Sequence, residues 1–287
     1  MADIVYLNGS FLPLSEARLS PLDYGFLYGY GLFETMRAYS GRVFRLDDHL
    51  QRLCGSAEHL RIIAPPVTEL TRAVYGTLEA NSLTSARVRI TLSAGEGEPV
   101  PNMSTGQGST LFVTATEYTP HDEHTYQQGF KAIVSGIRRS THSPVSSLKS
   151  LNYIDSLLAR REAAAAGAGE AILLNNQGLV AEGSTSNLFL VSGQTLTTPD
   201  TESGLLPGIT RQAVIGLAAE LGIQTTERSV TLDELMRADE VFCTSSVIEI
   251  MALTSIDRHQ IGAGRQGPVT ARLTKAYREA VERETSP

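Results

Sequence analysis

Lys149 lies in Ser143-Pro144-Val145-Ser146-Ser147-Leu148-Lys149-Ser150-Leu151-Asn152-Tyr153, between a stretch that reads as a strand and one that reads as a helix. A lysine at such a junction can project into a cleft, and a desolvated amine there is a nucleophile toward carbonyl carbon. Alone it would read as an ordinary surface lysine. Lysine is scarce in this chain, however: Lys131, Lys149 and Lys275 are the lysines, and every other cation is an arginine. Other chemistry-bearing groups accompany it. Glu182 follows a short strand in Leu179-Val180-Ala181-Glu182-Gly183-Ser184-Thr185-Ser186-Asn187, an acid at a turn dense with small polar residues. Leu206-Pro207-Gly208-Ile209-Thr210-Arg211 opens a helix, where unsatisfied backbone N–H groups and the helix dipole suit a phosphate. Phe242-Cys243-Thr244-Ser245-Ser246 ends a strand in three consecutive hydroxyls, a second candidate cradle for phosphate.

Several other chemistries are excluded. The six histidines include no H-E-x-x-H pair, and His121 and His124 fall in a polar segment, so no metal site is expected. There is no G-x-S-x-G elbow and no G-x-x-x-x-G-K-[ST] loop. Cys54 and Cys243 lie far apart without C-x-x-C spacing and are expected as buried free thiols. A net charge of -7 supplies no basic face for a nucleic-acid backbone. No apolar run approaches the ~20 residues that span a bilayer. Met1-Ala2-Asp3-Ile4 lacks the basic and apolar regions of a signal peptide. A soluble cytoplasmic protein is expected, without nucleic-acid or membrane partners.

Positioning these groups requires a particular run of elements. Val5 to Leu7 and Phe11 to Leu14 flank Asn8-Gly9, a hairpin signal, and 32–39 and 42–45 form a second strand pair around Ser40-Gly41. Leu46, Leu50, Leu53, Ala57 and Leu60 recur at helical spacing, and a second helix is predicted over 67–81 after Pro65-Pro66. Strands are predicted at 86–92 and 110–117, separated by a patternless Gly-, Pro- and Ser-rich loop over 94–108, of the length that tends to be functional or mobile. Beyond a polar linker at 119–125, the pattern gives a strand at 130–137 and a helix at 152–166. Four short strands follow at 170–175, 179–182, 187–191 and 194–198, then a helix at 209–221. Strands at 240–244 and 248–256 and a helix at 269–281 complete the chain. Strands and helices without regular alternation imply an α+β architecture, with domains at 1–118 and 126–287.

With those motifs in that order, the chain resembles the fold-type-IV enzymes that use pyridoxal 5'-phosphate (PLP): branched-chain aminotransferases, D-amino-acid aminotransferases and aminodeoxychorismate lyases. The resemblance runs from Tyr6-Leu7-Asn8-Gly9 to the strand after Glu249 and implies two α+β domains with PLP in the interdomain cleft. It implies that Lys149 is the catalytic lysine that holds the cofactor covalently and moves the proton at Cα. Arg52, in His49-Leu50-Gln51-Arg52-Leu53, matches the arginine that binds the cofactor phosphate, a role suited to a guanidinium fork. Glu182 matches the acid paired with the pyridine nitrogen. Ile209 and Thr210 match the phosphate cup, where Ser246 stands in place of a more usual threonine. Tyr153 lies one residue nearer the lysine than the tyrosine that branched-chain enzymes place on the cofactor's phenolic oxygen.

On the substrate side, Tyr28 and Phe33 match pocket residues of the branched-chain enzymes, Arg37 and Arg89 align with arginines near that pocket, and Val247 is grouped with them. The 95–101 stretch lacks the Arg-x-His pair that traps the substrate carboxylate in the best-known D-amino-acid enzymes. The Lys149-Ser150-Leu151-Asn152 spacing is nonetheless like theirs and the lyases', and Tyr30 replaces an Asp found in many relatives. The resemblance therefore implies a transaminase that exchanges amino groups between amino acids and 2-oxo acids, with L-branched-chain substrates and 2-oxoglutarate leading. A D-amino-acid or (R)-amine aminotransferase stays open, as does an aminodeoxychorismate lyase, since Thr35 falls where lyases carry a hydroxyl. The family also implies a homodimer whose 94–108 loop reaches the partner's site.

Overall fold

In the computed structural model, which describes residues 3–98 and 108–286, the chain divides into two units. One comprises Met1–Thr119, Leu148–Asn152 and Val281–Pro287; the other comprises Pro120–Ser147 and Tyr153–Ala280.

The first unit begins with β1 (Ile4–Leu7) and β2 (Ser10–Pro13). Asn8 and Gly9 have φ of 44° and 97°, the paired positive values of the two-residue turn that matches strand twist. Next come α1 (Tyr24–Tyr28), β3 (Gly31–Tyr39), β4 (Arg42–Val43), α2 (Leu46–His59), α3 (Val67–Ala80), β5 (Ala86–Ser93) and β6 (Thr110–Glu117). The strands form one sheet in the order β2-β1-β6-β5-β3-β4. Alternation splits its two faces. Leu32, Met36, Ala38, Val88, Ile90, Leu92, Leu111 and Val113 pack with the apolar stripes of α2 and α3 in one core. The intervening residues, among them Phe33, Thr35, Arg37, Arg87 and Arg89, lie on the opposite face.

In the second unit, α4 (Glu123–Gln128), β7 (Phe130–Arg139), α5 (Ile154–Ala165), β8 (Glu170–Asn175), β9 (Val180–Gly183), β10 (Asn187–Ser192) and β11 (Thr195–Thr198) come first. They are followed by α6 (Ile209–Glu220), β12 (Gln224–Glu227), α7 (Leu232–Met236), β13 (Glu240–Ser245), β14 (Glu249–Ile256), β15 (His259–Gln260) and α8 (Pro268–Thr285), whose last residues count with the first unit. The sheet runs β12-β11-β10-β13-β14-β7-β8-β9, with β15 paired to β14. The pairs β11/β12, β7/β14 and β7/β8 are parallel and the others antiparallel. β8, between β7 and the terminal strand β9, is buried at every residue: Ala171 and Leu173 pack on Ala159 and Ala163 of α5, while Ile172 and Leu174 join the larger core. This mixed sheet gives the α+β class.

The expected domain boundaries need correction. Lys149 belongs not with 126–287 but with the first unit, because 149–151 pair with β3. Val281–Pro287 also join that unit. The expected 119–125 linker is partly helical, since Asp122 accepts the Thr125 N–H and starts α4. The helix predicted from 152 starts at Ile154, and the terminal one runs on to Thr285. Of the 94–108 loop, residues 99–107 lie outside the described residues, and with them the expected reach into a partner's site. Its near end is anchored, with the Gly95 carbonyl accepting the Tyr24 N–H.

Candidate active site

Lys149 is placed by backbone pairing. β5 covers one edge of β3 from Gly31 to Ala38, and β4 takes only Ala38 and Tyr39 on the other. The remaining edge recruits 149–151: Phe33 N–H donates to the Lys149 carbonyl and Leu151 N–H to the Gly31 carbonyl, each at 2.9 Å. Gly31 is required for this approach, since a Cβ there would lie 2.7 Å from Leu151 Cδ1 and 2.7 Å from the Leu92 carbonyl oxygen. Lys149 Nζ stands 4.7 Å from the centroid of the buried Phe33 ring, and the Arg89 guanidinium carbon 3.9 Å from it. Arg89 Nε also donates to Thr91 Oγ1 at 3.3 Å. The structure thus gathers three of the expected site residues, Phe33, Arg89 and Lys149, on one sheet face.

The other expected residues of this unit have different surroundings. Arg37 is buried, with its guanidinium 4.3 Å from the Tyr39 ring centroid and 4.8 Å from that of Tyr118. Tyr28 ends α1, exposed and edge-on to Tyr24. Arg52, on α2, forks onto Glu34: its Nε donates to Oε1 at 2.8 Å and its Nη2 to Oε2 at 2.7 Å. His49 Nδ1 lies 2.7 Å from the same Oε2. Burial pushes the Glu34 carboxyl upward, but the charge of Arg52 and the His49 contact outweigh it and hold the group at about 2. Sequence reading missed Glu34 and the role of His49. The available signal was a carboxylate on the core-facing side of β3 beside a His-x-x-Arg spacing on the next helix.

In the second unit Glu182, the third residue of β9, is buried. Oε1 is 3.0 Å from Arg139 Nη2, and Oε2 accepts the Leu206 N–H at 3.0 Å. The turn after it is fixed by Glu170, which is buried and accepts from Ser184 N–H at 3.0 Å and Ser186 Oγ at 2.7 Å. Arg139 and Glu170 were also missed. Ile209 and Thr210 open α6, whose N-cap Gly208 supplies no side chain to its N–H groups. A Cβ at Gly208 would fall 2.0 Å from Asn187 Oδ1, so the approach to this helix end is tight. Ser246 and Val247, both half-buried, occupy the turn between β13 and β14. Tyr153 precedes α5, and burial, reinforced by the charge of Glu182, pushes its phenol up to about 12. It therefore stays protonated and able to donate.

These features fit a phosphorylated, ring-bearing cofactor. A helix start without side-chain capping suits a phosphate, and a buried carboxylate suits a protonated ring nitrogen. The Thr244 hydroxyl, next to the Ser245-Ser246 pair, is buried without a hydrogen-bond partner among the described residues. Comparison with known proteins agrees. A family model for amino-transferase class IV matches residues 31–256. The branched-chain-amino-acid aminotransferase of Escherichia coli (strain K12) is 34% identical over 284 residues, covering 96% of this chain and 92% of its own. The aminodeoxychorismate lyase of Bacillus subtilis (strain 168) is 33% identical over 282 residues, covering 97% and 95%. A T.th. branched-chain amino acid aminotransferase, solved with pyridoxamine 5'-phosphate, superposes with a TM-score of 0.93 at 35% identity, covering 100% of this chain and 96% of that one. The chain belongs to the class IV aminotransferases, the fold-type-IV PLP enzymes.

Proposed function

We propose that the chain is an L-branched-chain-amino-acid aminotransferase that uses 2-oxoglutarate as acceptor in a ping-pong cycle. The observation that carries this is the grouping of Phe33 and Arg89 with Lys149, an apolar ring and a cation beside the one amine that the motifs single out. Several solved enzymes of this shape bear that name.

When bound, PLP supplies an electron sink that lets the Cα–H bond of an amino acid ionise. Lys149 would hold it covalently, yield its place to the donor amine, and then take the Cα proton on Nζ. Arg52, the N–H groups of Ile209 and Thr210, and the Ser246 hydroxyl would bind the phosphate. Glu182 would keep the ring nitrogen protonated, and the Tyr153 phenol would donate to the ring oxygen. Tyr28, Phe33 and Val247 would offer an apolar wall to a branched side chain. Arg37 or Arg89 would receive the distal carboxylate of glutamate, which lets one pocket serve both half-reactions. A second copy of the chain is the proposed partner. In the first unit Phe26 is 75% exposed beside Leu27, and in the second Ile154 is 62% exposed beside Leu157 and Leu158.

The test is to follow cofactor absorbance in separate half-reactions with L-leucine, L-glutamate, D-alanine and aminodeoxychorismate. L-leucine and L-glutamate should react fastest, and Arg89→Ala should slow glutamate more than leucine. A faster reaction with D-alanine moves the protein to the D-amino-acid enzymes, and turnover of aminodeoxychorismate to the lyases.

A further inference from the structure

Arg139, the last residue of β7, is a cation with three separate acceptors. Its Nη2 lies 3.0 Å from Glu182 Oε1 and donates to the Ser146 carbonyl at 2.6 Å, while its Nε donates to the Gly204 carbonyl at 3.4 Å. Glu182 in turn has Oε2 on the Leu206 N–H. The carboxylate is thus fixed from both oxygens, in a place where little of either side chain meets solvent: 17% of Arg139 and 9% of Glu182. A guanidinium stays charged at every working pH, so its favour for the ionised carboxylate is permanent. An anion stabilised in this way is a weaker base. A proton shared between it and a ring nitrogen is then left on the nitrogen.

We propose that Arg139 is a positioning residue for the electron sink: it keeps Glu182 ionised and aimed, so that the pyridine nitrogen of bound PLP carries the proton. The inference rests on the reading of Glu182 given above. It goes beyond that reading in assigning the location of the proton to a residue one step removed from the ring.

The experiment uses holoenzyme reconstituted with PLP labelled with nitrogen-15 in the ring, whose chemical shift reports whether that nitrogen is protonated. Glu182→Gln comes first. If it leaves the signal in the wild-type position, the Glu182 reading itself fails. Given that it moves the signal, Arg139→Gln should move it the same way, toward unprotonated pyridine, with PLP still attached to Lys149 by borohydride tagging. The leucine half-reaction should slow about 10–100-fold, the scale on which partners behind a directly acting group are felt, with little change in KM. Arg139→Lys should restore the protonated signal near neutral pH. In that variant the signal should then move as pH rises through the lysine range, around 10, below the pH at which the wild type responds. An Arg139→Gln enzyme with the wild-type signal overturns the proposal. Should that variant not fold, an Arg139→Lys signal that tracks the wild type at every pH overturns it equally.

Discussion

Glu34 is a buried carboxylate whose charge is set by its neighbours. It is fully buried, forked by Arg52 and touched by His49. A carboxyl held at about 2, against an ordinary 4.5, favours the folded state above the unfolded value. That contribution is roughly 3 kcal/mol. The group's folded pKa is lowered, so the stabilisation is complete above pH 4.5 and drains away as pH falls through 4.5 toward 2. Glu34→Gln should accordingly flatten the acid limb of stability in that window, as read by denaturant unfolding between pH 5 and 2. An unchanged limb would assign the acid sensitivity to other carboxylates. Arg52→Ala removes a proposed phosphate ligand and strands the Glu34 charge in the same step. The PLP dissociation constant should rise about 30–150-fold, the worth of a bidentate charge-assisted contact. The apoprotein should lose about 3–5 kcal/mol as well, because a buried charge is left without its partner. Normal PLP binding in a folded Arg52→Ala protein would remove Arg52 from the phosphate site. At this scale the candidate groups were readable where they sit in a short motif, as the proposed roles of Lys149 and Glu182 do. Glu34 and Arg139 were not, because their partners lie on other elements: Glu34 and Arg52 are 18 residues apart, and the acceptors of Arg139 are Ser146, Glu182 and Gly204.

Among the elements, the contact of 149–151 with β3 is the one that places the proposed catalytic lysine. Gly31→Ala would press a methyl against the Leu92 carbonyl oxygen, a backbone atom unable to swing aside. Overpacking of this kind costs about 1–3 kcal/mol, and here it would loosen the strand that carries Lys149. The expected outcome is a lower melting temperature together with less PLP fixed by borohydride. Loss of stability with full covalent loading would show that Lys149 is held by its own side chain instead. Gly208→Ala tests the proposed phosphate site at the start of α6. Its methyl would displace Asn187, whose Nδ2 donates to the Leu206 carbonyl. Phosphate affinity should then fall more than stability, as measured by PLP titration beside thermal melts. Long amphipathic helices and alternating strands were readable because their periods differ, 3.6 against 2. Helices α1 and α7 are five residues each, too short for a period to show. β12 is the polar edge segment Gln-Thr-Thr-Glu, with no apolar alternation to mark it.

For the whole molecule, the sequence supported two α+β domains but not their actual composition. Strand pairing between Phe33 and Lys149 joins residues 116 apart (149 − 33), and nothing local marks such a partner. The proposed dimer belongs to this scale. Phe26→Glu, or Ile154→Glu with Leu157→Glu, should shift sedimentation to a single chain if those exposed apolar residues lie beneath a second copy. Unchanged sedimentation would place the partner surface elsewhere. The borrowed strand also has a consequence for synthesis. The six-stranded sheet has all its own strands once Glu117 has emerged, yet Phe33 N–H and the Gly31 carbonyl find their partners only when Leu151 follows. Those 34 residues (151 − 117) take roughly 2–7 s to add at about 5–20 residues per second. During that interval the edge of β3 stands open on the ribosome. A neighbouring nascent chain on the same messenger would meet it before its own lysine segment does.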